Sequence, residues 1–577
     1  MSKVEIYPFG KENCIIKAEL NGDNFNHMNS FPGFSKWKDG TRDRIFRPTA
    51  NNIKHIRECW PEAEWLDGTF RHVEQFIIDQ GNAAKNLLAK ETHIEDDGSY
   101  QYKTKPFDHQ RKVFLLSREL PSYALFMEQG TGKTKPLIDT AAFQYAAGLI
   151  DTLIVIAPNG VHGNWIENEI PIHLPDWCPH VSWIYSAKKM NKKAMAEFER
   201  VIATKDKLRI FAFNVEGFTS DKAKKLIERI INTSKCNVTV DESQYIKNPS
   251  ALRTKYLTKV CEPVAFKRIA TGTPVTKGVE DTYSQFKFMN EGIIGFDSFY
   301  TFRNHFCTMG GYEMKKIVGY KNINQLTAMI DPYSFRVTKA ECLDLPPKLY
   351  KRWLVELTPQ QRKIYDELKN NYIAELEGHG VVGSQWAMVR ELRLQQIMCG
   401  WFPNGAEDMA RIPGDNPKLE AVRQHCLDTD GPVVVWTRFK EDVLDITEEL
   451  RRDHGRGVVA SCSGATPPEE RVRLVSELQA GNMKALVCTA GAMGRGHTMT
   501  RCENPIIHSN TADLEHRLQL EDRHHRIGTT GSVTYTDVEA KKTCDRKTIS
   551  ALIKKKNFAD MITRDPKVLF MEDDNED

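Results

Sequence analysis

Two short segments contain residues whose types and spacing suit one chemistry. Gly130-Thr131-Gly132-Lys133-Thr134, inside LFMEQGTGKT, is a glycine-rich loop after an apolar run and before a helical stretch. Backbone N–H groups of such a loop can surround phosphate oxygens, and the helix N-terminus behind it favours an anion. Lys133 would then reach the β and γ phosphates, and the Thr134 hydroxyl would sit on Mg²⁺. Asp241-Glu242-Ser243-Gln244, inside NVTVDESQYIKN, closes an apolar strand with adjacent acids. Asp241 can hold the metal there while Glu242 orients a water. Either segment alone is weak. As a pair, each at a strand end, they point to ATP and Mg²⁺ as cofactors and to hydrolysis as the reaction.

The elements that position these residues follow from the apolar pattern. From about 105 to 340, strands at Leu153–Ala157, Leu208–Phe213, Asn237–Val240 and Arg268–Ala270 alternate with helical stretches such as Lys222–Ile231. Alternation of this kind implies a parallel sheet flanked by helices. It restarts after about 345, with strands at Val433–Trp436, Val458–Ala460, Ala485–Cys488, Pro505–His508 and Val533–Tyr535. Between two of these, PPEERVRLVSELQAG has Val472, Val475 and Leu478 at helical spacing, opened by a Pro pair and closed by Gly481. The expected fold is α/β: two tandem lobes with parallel sheets, 96–340 and 341–577, behind a small α+β N-terminal domain, 1–95. Only the first lobe carries a phosphate loop. In the second, QLEDRHHRIG puts Arg523 and Arg526 three apart, on one face if the segment is helical. An arginine there suits the charge that develops on a transferring γ-phosphate.

Composition narrows the class further. The 577 residues are 40% hydrophobic and 27% charged, with a formal charge of only +3, so nucleic-acid binding would rest on local patches. Thirteen cysteines are scattered without CxxC pairs or zinc-like spacing, as expected of buried thiols in a reducing compartment. No apolar leader opens the chain and no run of about 18 apolar residues occurs. The expectation is a soluble intracellular protein with no membrane partner, cytoplasmic or at the nucleoid, nuclear in a eukaryote.

With these motifs in order, the chain resembles the Swi/Snf-type ATPases of helicase superfamily two over roughly residues 100 to 545. Lys105-Pro106-Phe107-Asp108-His109-Gln110 looks like the adenine-reading motif, with Gln110 on the purine edge. LFMEQGTGKT is similar to motif I, so that Gln129 to Thr134 would line the nucleotide. Leu153–Ile170, with Trp165, resembles motif Ia, VDESQYIKNPSALRTK motif II, and Thr271-Gly272-Thr273-Pro274 motif III. In the second lobe Trp436-Thr437-Arg438-Phe439 resembles motif IV, CTAGAMGRG motif V with Gly494 near nucleotide, and QLEDRHHRIG motif VI. The resemblance implies DNA contacts at Pro158, Asn159, Asn214, Thr273, Thr437 and Thr489. Gln244 stands where the family has His, and Thr529 where it has Gln.

What the resemblance implies is a pair of RecA-like lobes forming a DNA-dependent ATPase that moves along duplex DNA with 3′→5′ polarity and without reading sequence. Its output would be remodelling of forks, recombination intermediates or protein–DNA complexes. A strand-separating helicase of the phage recombination type is one alternative, and a nucleic-acid-binding scaffold clamped by ATP with negligible turnover is another. The N-terminal unit carries Lys36, Lys38, Arg42, Arg44, Arg47, Lys54 and Arg57 against Asp39 and Asp43, interleaved with Trp37 and Phe46. This segment loosely resembles the HepA-related domain of annealing helicases. Trp37, Arg42, Arg44 and Arg47 are therefore expected to meet forked or branched DNA by stacking and phosphate contact.

Overall fold

The computed structural model describes residues 4–553 except 10–12, 19–21, 31–34, 39, 42, 47–49, 66–84, 87, 89–95, 97, 160, 188–189, 276–277, 297, 311–315, 380–383, 405–407, 494–497 and 512. The chain divides into two units, with the main division at Thr338/Lys339 and the short stretch Gln129–Thr131 grouped with the second.

The first unit opens with a five-stranded sheet, in the order β3-β4-β2-β1-β5. Its strands are β1 (Glu5–Phe9), β2 (Asn13–Lys17), β3 (Ser35–Trp37), β4 (Arg44–Phe46) and β5 (Glu64–Trp65). Helices α1 (Gly22–Asn29) and α2 (Ala50–Cys59) cover a small core of Ile6, Ile16, Met28, Phe46, Ile56 and Trp60. Buried Trp60 still satisfies its indole, which donates to Asn24 Oδ1 at 2.8 Å.

Next comes a seven-stranded, wholly parallel sheet of order β14-β6-β11-β10-β7-β9-β8. Its strands are β6 (Ser122–Met127), β7 (Thr152–Ala157), β8 (His180–Ile184), β9 (Leu208–Asn214), β10 (Cys236–Asp241), β11 (Phe266–Ala270) and β14 (Ser334–Val337). A hairpin of β12 (Cys307–Gly310) and β13 (Lys316–Tyr320) lies between the last two in sequence. β6, β7 and β10 are buried along their whole length, as a sheet covered on both faces requires. The covering helices include α3 (Asp108–Ser117), α4 (Thr134–Ala146), α5 (Lys192–Ala203), α6 (Asp221–Thr233), α7 (Leu252–Val260) and α8 (Thr282–Met289).

Strand order has one consequence for chemistry. β11 lies between β6 and β10, so the residues that follow these three strands emerge side by side at one sheet edge. They are the glycine-rich loop after β6, Thr271 after β11, and Asp241-Glu242 at the end of β10. Ligands of open parallel sheets bind at this carboxyl edge.

Buried Arg268 ties α3 to the sheet. Its guanidinium donates to the carbonyls of Ser117 (2.8 Å), Leu120 (2.5 Å), Pro121 (2.9 Å) and Lys267 (2.9 Å). Two of these belong to the carboxyl end of α3 and the turn after it, where carbonyls lack helical partners.

The second unit holds a six-stranded parallel sheet, β15-β22-β21-β18-β20-β19. Its strands are β15 (Lys348–Val355), β18 (Val433–Thr437), β19 (Val459–Cys462), β20 (Ala485–Thr489), β21 (Ile506–Ile507) and β22 (Val533–Ala540). A small hairpin, β16 (Trp401–Asn404) with β17 (Asp408–Arg411), stands apart. The helices are α9 (Pro359–His379), α10 (Ser384–Met398), α11 (Pro417–Asp428), α12 (Lys440–His454), α13 (Pro468–Ala480) and α14 (Leu514–His524). Among the described residues no helix is long and apolar enough to cross a membrane.

Replacing Arg268 with Ala leaves several buried carbonyls without a donor. We expect a loss of about 3–5 kcal/mol in unfolding free energy, read as a lower urea midpoint at unchanged slope. An unchanged midpoint would show that water reaches those carbonyls.

Candidate active site

The glycine-rich loop begins at the end of β6 and feeds α4. Gly130 and Gly132 have φ of +80° and +81°, the left-handed region where side chains are strained. Gly132 has a second constraint: a Cβ there would fall 2.2 Å from Gln110 Nε2. That amide donates to Gly132 O at 3.0 Å and accepts from Phe107 N at 2.9 Å. Gln110 thus caps α3 and holds the phosphate loop, and pairing with a purine edge would require release of the Gly132 carbonyl.

At the end of β10, Asp241 is 7% exposed. Its Oδ2 accepts from Trp165 Nε1 at 2.9 Å and its Oδ1 from Glu242 N at 3.0 Å. Burial, then the Glu242 charge, raise its pKa to about 6, while Lys133 pulls the other way. Trp165 begins a short π-helical turn, Trp165–Glu169, a type of distortion found at functional sites. Glu242 adopts φ +54° and ψ +57°, costly for a residue with a Cβ and maintained by its surroundings.

Those surroundings form a relay across the sheet edge. Gln244 Nε2 donates to Glu242 Oε2 at 2.9 Å, and Gln244 Oε1 accepts from Thr271 Oγ1 at 2.7 Å. Thr271 Oγ1 in turn accepts from Thr273 N at 3.0 Å. Ser243 Oγ donates to Gln285 Oε1 at 2.6 Å, and Gln285 Nε2 donates to Pro274 O at 2.8 Å. One amide at 244 therefore connects the acid after β10 to the TGTP turn after β11.

The oxygen set offered by Thr134 and Asp241 fits a hard cation such as Mg²⁺. The observation behind this fit is a buried carboxylate held close to neutral pKa beside a glycine-shaped anion cradle. Among the other proposed contacts of this unit, Pro158 is buried and its carbonyl accepts from Val161 N, whereas Asn159 is exposed with its N–H donating to Glu216 Oε2 at 3.1 Å. Asn214 and Thr273 are half-buried. Trp37 stacks on Phe25 with centroids 5.8 Å apart and carries the Arg44 guanidinium 5.0 Å from its ring centroid. Arg44 also donates to Asn29 Oδ1 (3.2 Å) and Ser35 Oγ (2.9 Å). Both side chains are thus engaged within their own domain. Arg42, Arg47 and Gly494 lie outside the described residues.

In the second unit two expectations need correction. α14 ends at His524, so Arg523 occupies its last turn while Arg526 lies beyond it and not on the same helical face. The Thr529 hydroxyl fixes that turn, accepting from Arg526 N at 3.1 Å and placed 2.9 Å from His524 O. The neighbouring acids are held elsewhere, Asp522 by Lys339 and Glu521 by Arg517, Lys348 and Tyr350. Thr437 does not reach the surface. It is 2% exposed, and its hydroxyl donates to Asp442 Oδ2 at 2.6 Å and lies 3.0 Å from Ser509 Oγ. Thr489 is half-buried and lines a cavity of about 240 Å³ with Arg438, Gly491, Asn510 and Arg517, at the carboxyl ends of β18 and β20. His524 is internal, with Trp436 Nε1 donating to its Nε2 at 3.0 Å; burial lowers its pKa to about 3, keeping it neutral.

A phosphate loop and an acidic strand end at one edge of a parallel sheet, on strands separated by a single strand, followed by a second parallel α/β unit, define a two-lobed P-loop nucleoside triphosphatase. The chain belongs to the SNF2-related domain family, whose model matches residues 73–400, and the helicase conserved C-terminal domain matches 417–528. It is 23% identical over 455 residues to the mouse DNA annealing helicase and endonuclease ZRANB3, covering 77% of this chain and 39% of that protein. It is 24% identical over 481 residues to the ATP-dependent helicase MG018 of Mycoplasma genitalium, covering 82% and 43%. This chain thus spans about two fifths of the length of these curated relatives. Among solved structures it is similar to the Sulfolobus solfataricus SWI2/SNF2 ATPase core in complex with dsDNA, with 22% identity, TM-score 0.37, and coverage of 83% and 97%.

Asp241 supplies a pH test. Its folded-state pKa lies above the ordinary carboxylate value, so the native state binds more protons between about pH 4 and 6. That contribution favours folding at low pH and is lost as pH rises through 6, by about 3 kcal/mol in all. Asp241→Asn should remove this slope from unfolding titrations. Below pH 6 a bound cation must expel the proton, so half-saturating Mg²⁺ for nucleotide binding should rise about tenfold per pH unit. A flat Mg²⁺ requirement from pH 7 to 5 would exclude Asp241 as the ligand.

Proposed function

We propose that this chain couples ATP hydrolysis to movement along duplex DNA, remodelling forks, recombination intermediates or protein–DNA complexes. The observation that carries the reading is the edge of the first sheet, where phosphate loop, acid pair and TGTP turn follow three neighbouring strands and the acid pair and the turn share one hydrogen-bonded relay. Membership of the SNF2-related family supports it, as does the DNA-annealing helicase activity for which the ZRANB3 relative is named.

In this reading the loop N–H groups and Lys133 hold the phosphates, and Thr134 with Asp241 hold Mg²⁺, which would neutralise charge on the phosphates. Glu242 orients the attacking water and takes its proton. Arg523 and Arg526 supply cations to the transition state. DNA is held through its backbone by Asn159, Asn214, Thr273 and Thr489, without reading sequence. The N-terminal domain, with Trp37, Arg42, Arg44 and Arg47, selects forked or branched forms.

ATPase rates on single-stranded, duplex, forked and four-way DNA test this. Duplex should stimulate turnover, and Glu242→Gln should bind ATP·Mg²⁺ yet lose about 10²–10⁴-fold in turnover. Loss of about 10³–10⁵ in kcat is expected for Arg526→Ala, with nucleotide affinity nearly kept. Turnover indifferent to every DNA would remove the translocase reading.

The N-terminal assignment needs a mild variant. α2 packs on the Glu291–Ile294 helix of the first lobe, so deleting the domain exposes that lobe as well. Arg42→Ala combined with Arg47→Ala should weaken stimulation by forked DNA more than by plain duplex, with a shallower salt dependence. Equal losses on both would make the domain a stabilising cover.

A further inference from the structure

Three side chains of the second unit, remote from one another in sequence, meet inside it. Cys399 follows α10, Asp442 sits in the first turn of α12, and His508 follows β21; each is 1% exposed. One ligand atom from each lies within 4.8 Å of the other two. The Thr437 and Trp401 side chains orient the carboxylate from behind, with Trp401 Nε1 donating to Oδ1 at 2.9 Å and Thr437 Oγ1 to Oδ2 at 2.6 Å.

The anomaly is His508. Neither ring nitrogen has a hydrogen-bond partner, although the ring is buried. Nδ1 approaches Asp442 Oδ2 to 3.3 Å, close enough for an ion pair but outside hydrogen-bonding geometry. Buried polar groups are nearly always satisfied, so an imidazole like this calls for an explanation. A protonated His508 facing Asp442 accounts for the proximity but leaves both N–H groups without acceptors. A metal ion accounts for the ring pointing at a carboxylate and a thiol together.

We infer that Cys399, Asp442 and His508 form a zinc site. One sulfur, one nitrogen and one oxygen ligand suit a borderline-soft dication and exclude Mg²⁺, which takes oxygen. Thiolate and carboxylate neutralise the dication, which a buried site needs. Bonds of about 2.0–2.3 Å would draw the three ligand atoms to about 3.5 Å apart. The Trp401 and Thr437 hydrogen bonds fix the carboxylate as outer-shell partners do. The ion would pin the end of the α9–α10 hairpin to the carboxyl ends of β18 and β21, the strand ends that also carry Thr437 and Ser509. With three protein ligands, a water would complete the tetrahedral set, and the ion would cross-link three elements within the second unit.

The full chain, purified without a metal-affinity step, should contain close to one zinc per molecule by inductively coupled plasma mass spectrometry. Zinc-free protein titrated with Co²⁺ should develop thiolate-to-cobalt charge-transfer absorption. That band should vanish in Cys399→Ala and persist in Cys426→Ala, which removes another buried cysteine of the same unit. Trp401→Phe keeps every ligand and should weaken Co²⁺ affinity about 10- to 100-fold; this variant decides the matter if Cys399→Ala fails to fold. No stoichiometric zinc and no cobalt band in a cooperatively melting chain would overturn the site. So would a band indifferent to Cys399→Ala, or an affinity unchanged by Trp401→Phe.

Discussion

Two carboxylates on adjacent residues, one of them buried, repel each other and lose hydration, and the first lobe is arranged to tolerate this at the end of β10. Asp241 is held by an indole and a backbone N–H, and Glu242 is bent into left-handed backbone and gripped by the Gln244 amide. A buried acid that costs stability above pH 6 persists where a cation is meant to relieve it. Strain and desolvation fall on the same two residues, and the sheet, the capped α3 and the Arg268 anchor hold them in place.

The glutamine at 244 follows from the same constraint. A side-chain amide offers a donor to Glu242 and an acceptor to Thr271 at once, without a proton to titrate. A histidine there would change its hydrogen bonding with protonation; the amide keeps the connection between the acid and the TGTP turn in one state across neutral pH. Thr529 shows a comparable replacement in the second unit, where a hydroxyl in place of a longer amide closes the turn that carries Arg526.

Local features were legible in the sequence and long-range ones were not. Apolar runs announced β7, β10, β18 and β20 to within a residue at each end, because a doubly covered parallel strand must be continuously apolar. β15 escaped notice because KLYKRWLV is a largely exposed edge strand with charges along it. That α14 stops before Arg526 depends on a threonine hydroxyl, which no periodicity reveals. Thr437 was expected at DNA, yet the Asp442 carboxylate draws it inward. Nor could spacing expose Cys399, Asp442 and His508, which three separate elements bring together. The nucleotide site was readable because its residues lie in short contiguous motifs; the relay through Gln244 was not, since it depends on β11 lying between β6 and β10.

We propose that this relay joins hydrolysis to the TGTP turn and through it to DNA. The direct measurement is the ratio of DNA-stimulated to DNA-independent ATP turnover in Thr271→Val, which removes one hydroxyl donor and keeps the shape. Basal turnover should stay within a few-fold of wild type while DNA stimulation collapses. Basal and stimulated rates falling in equal proportion, or stimulation surviving intact, would contradict it.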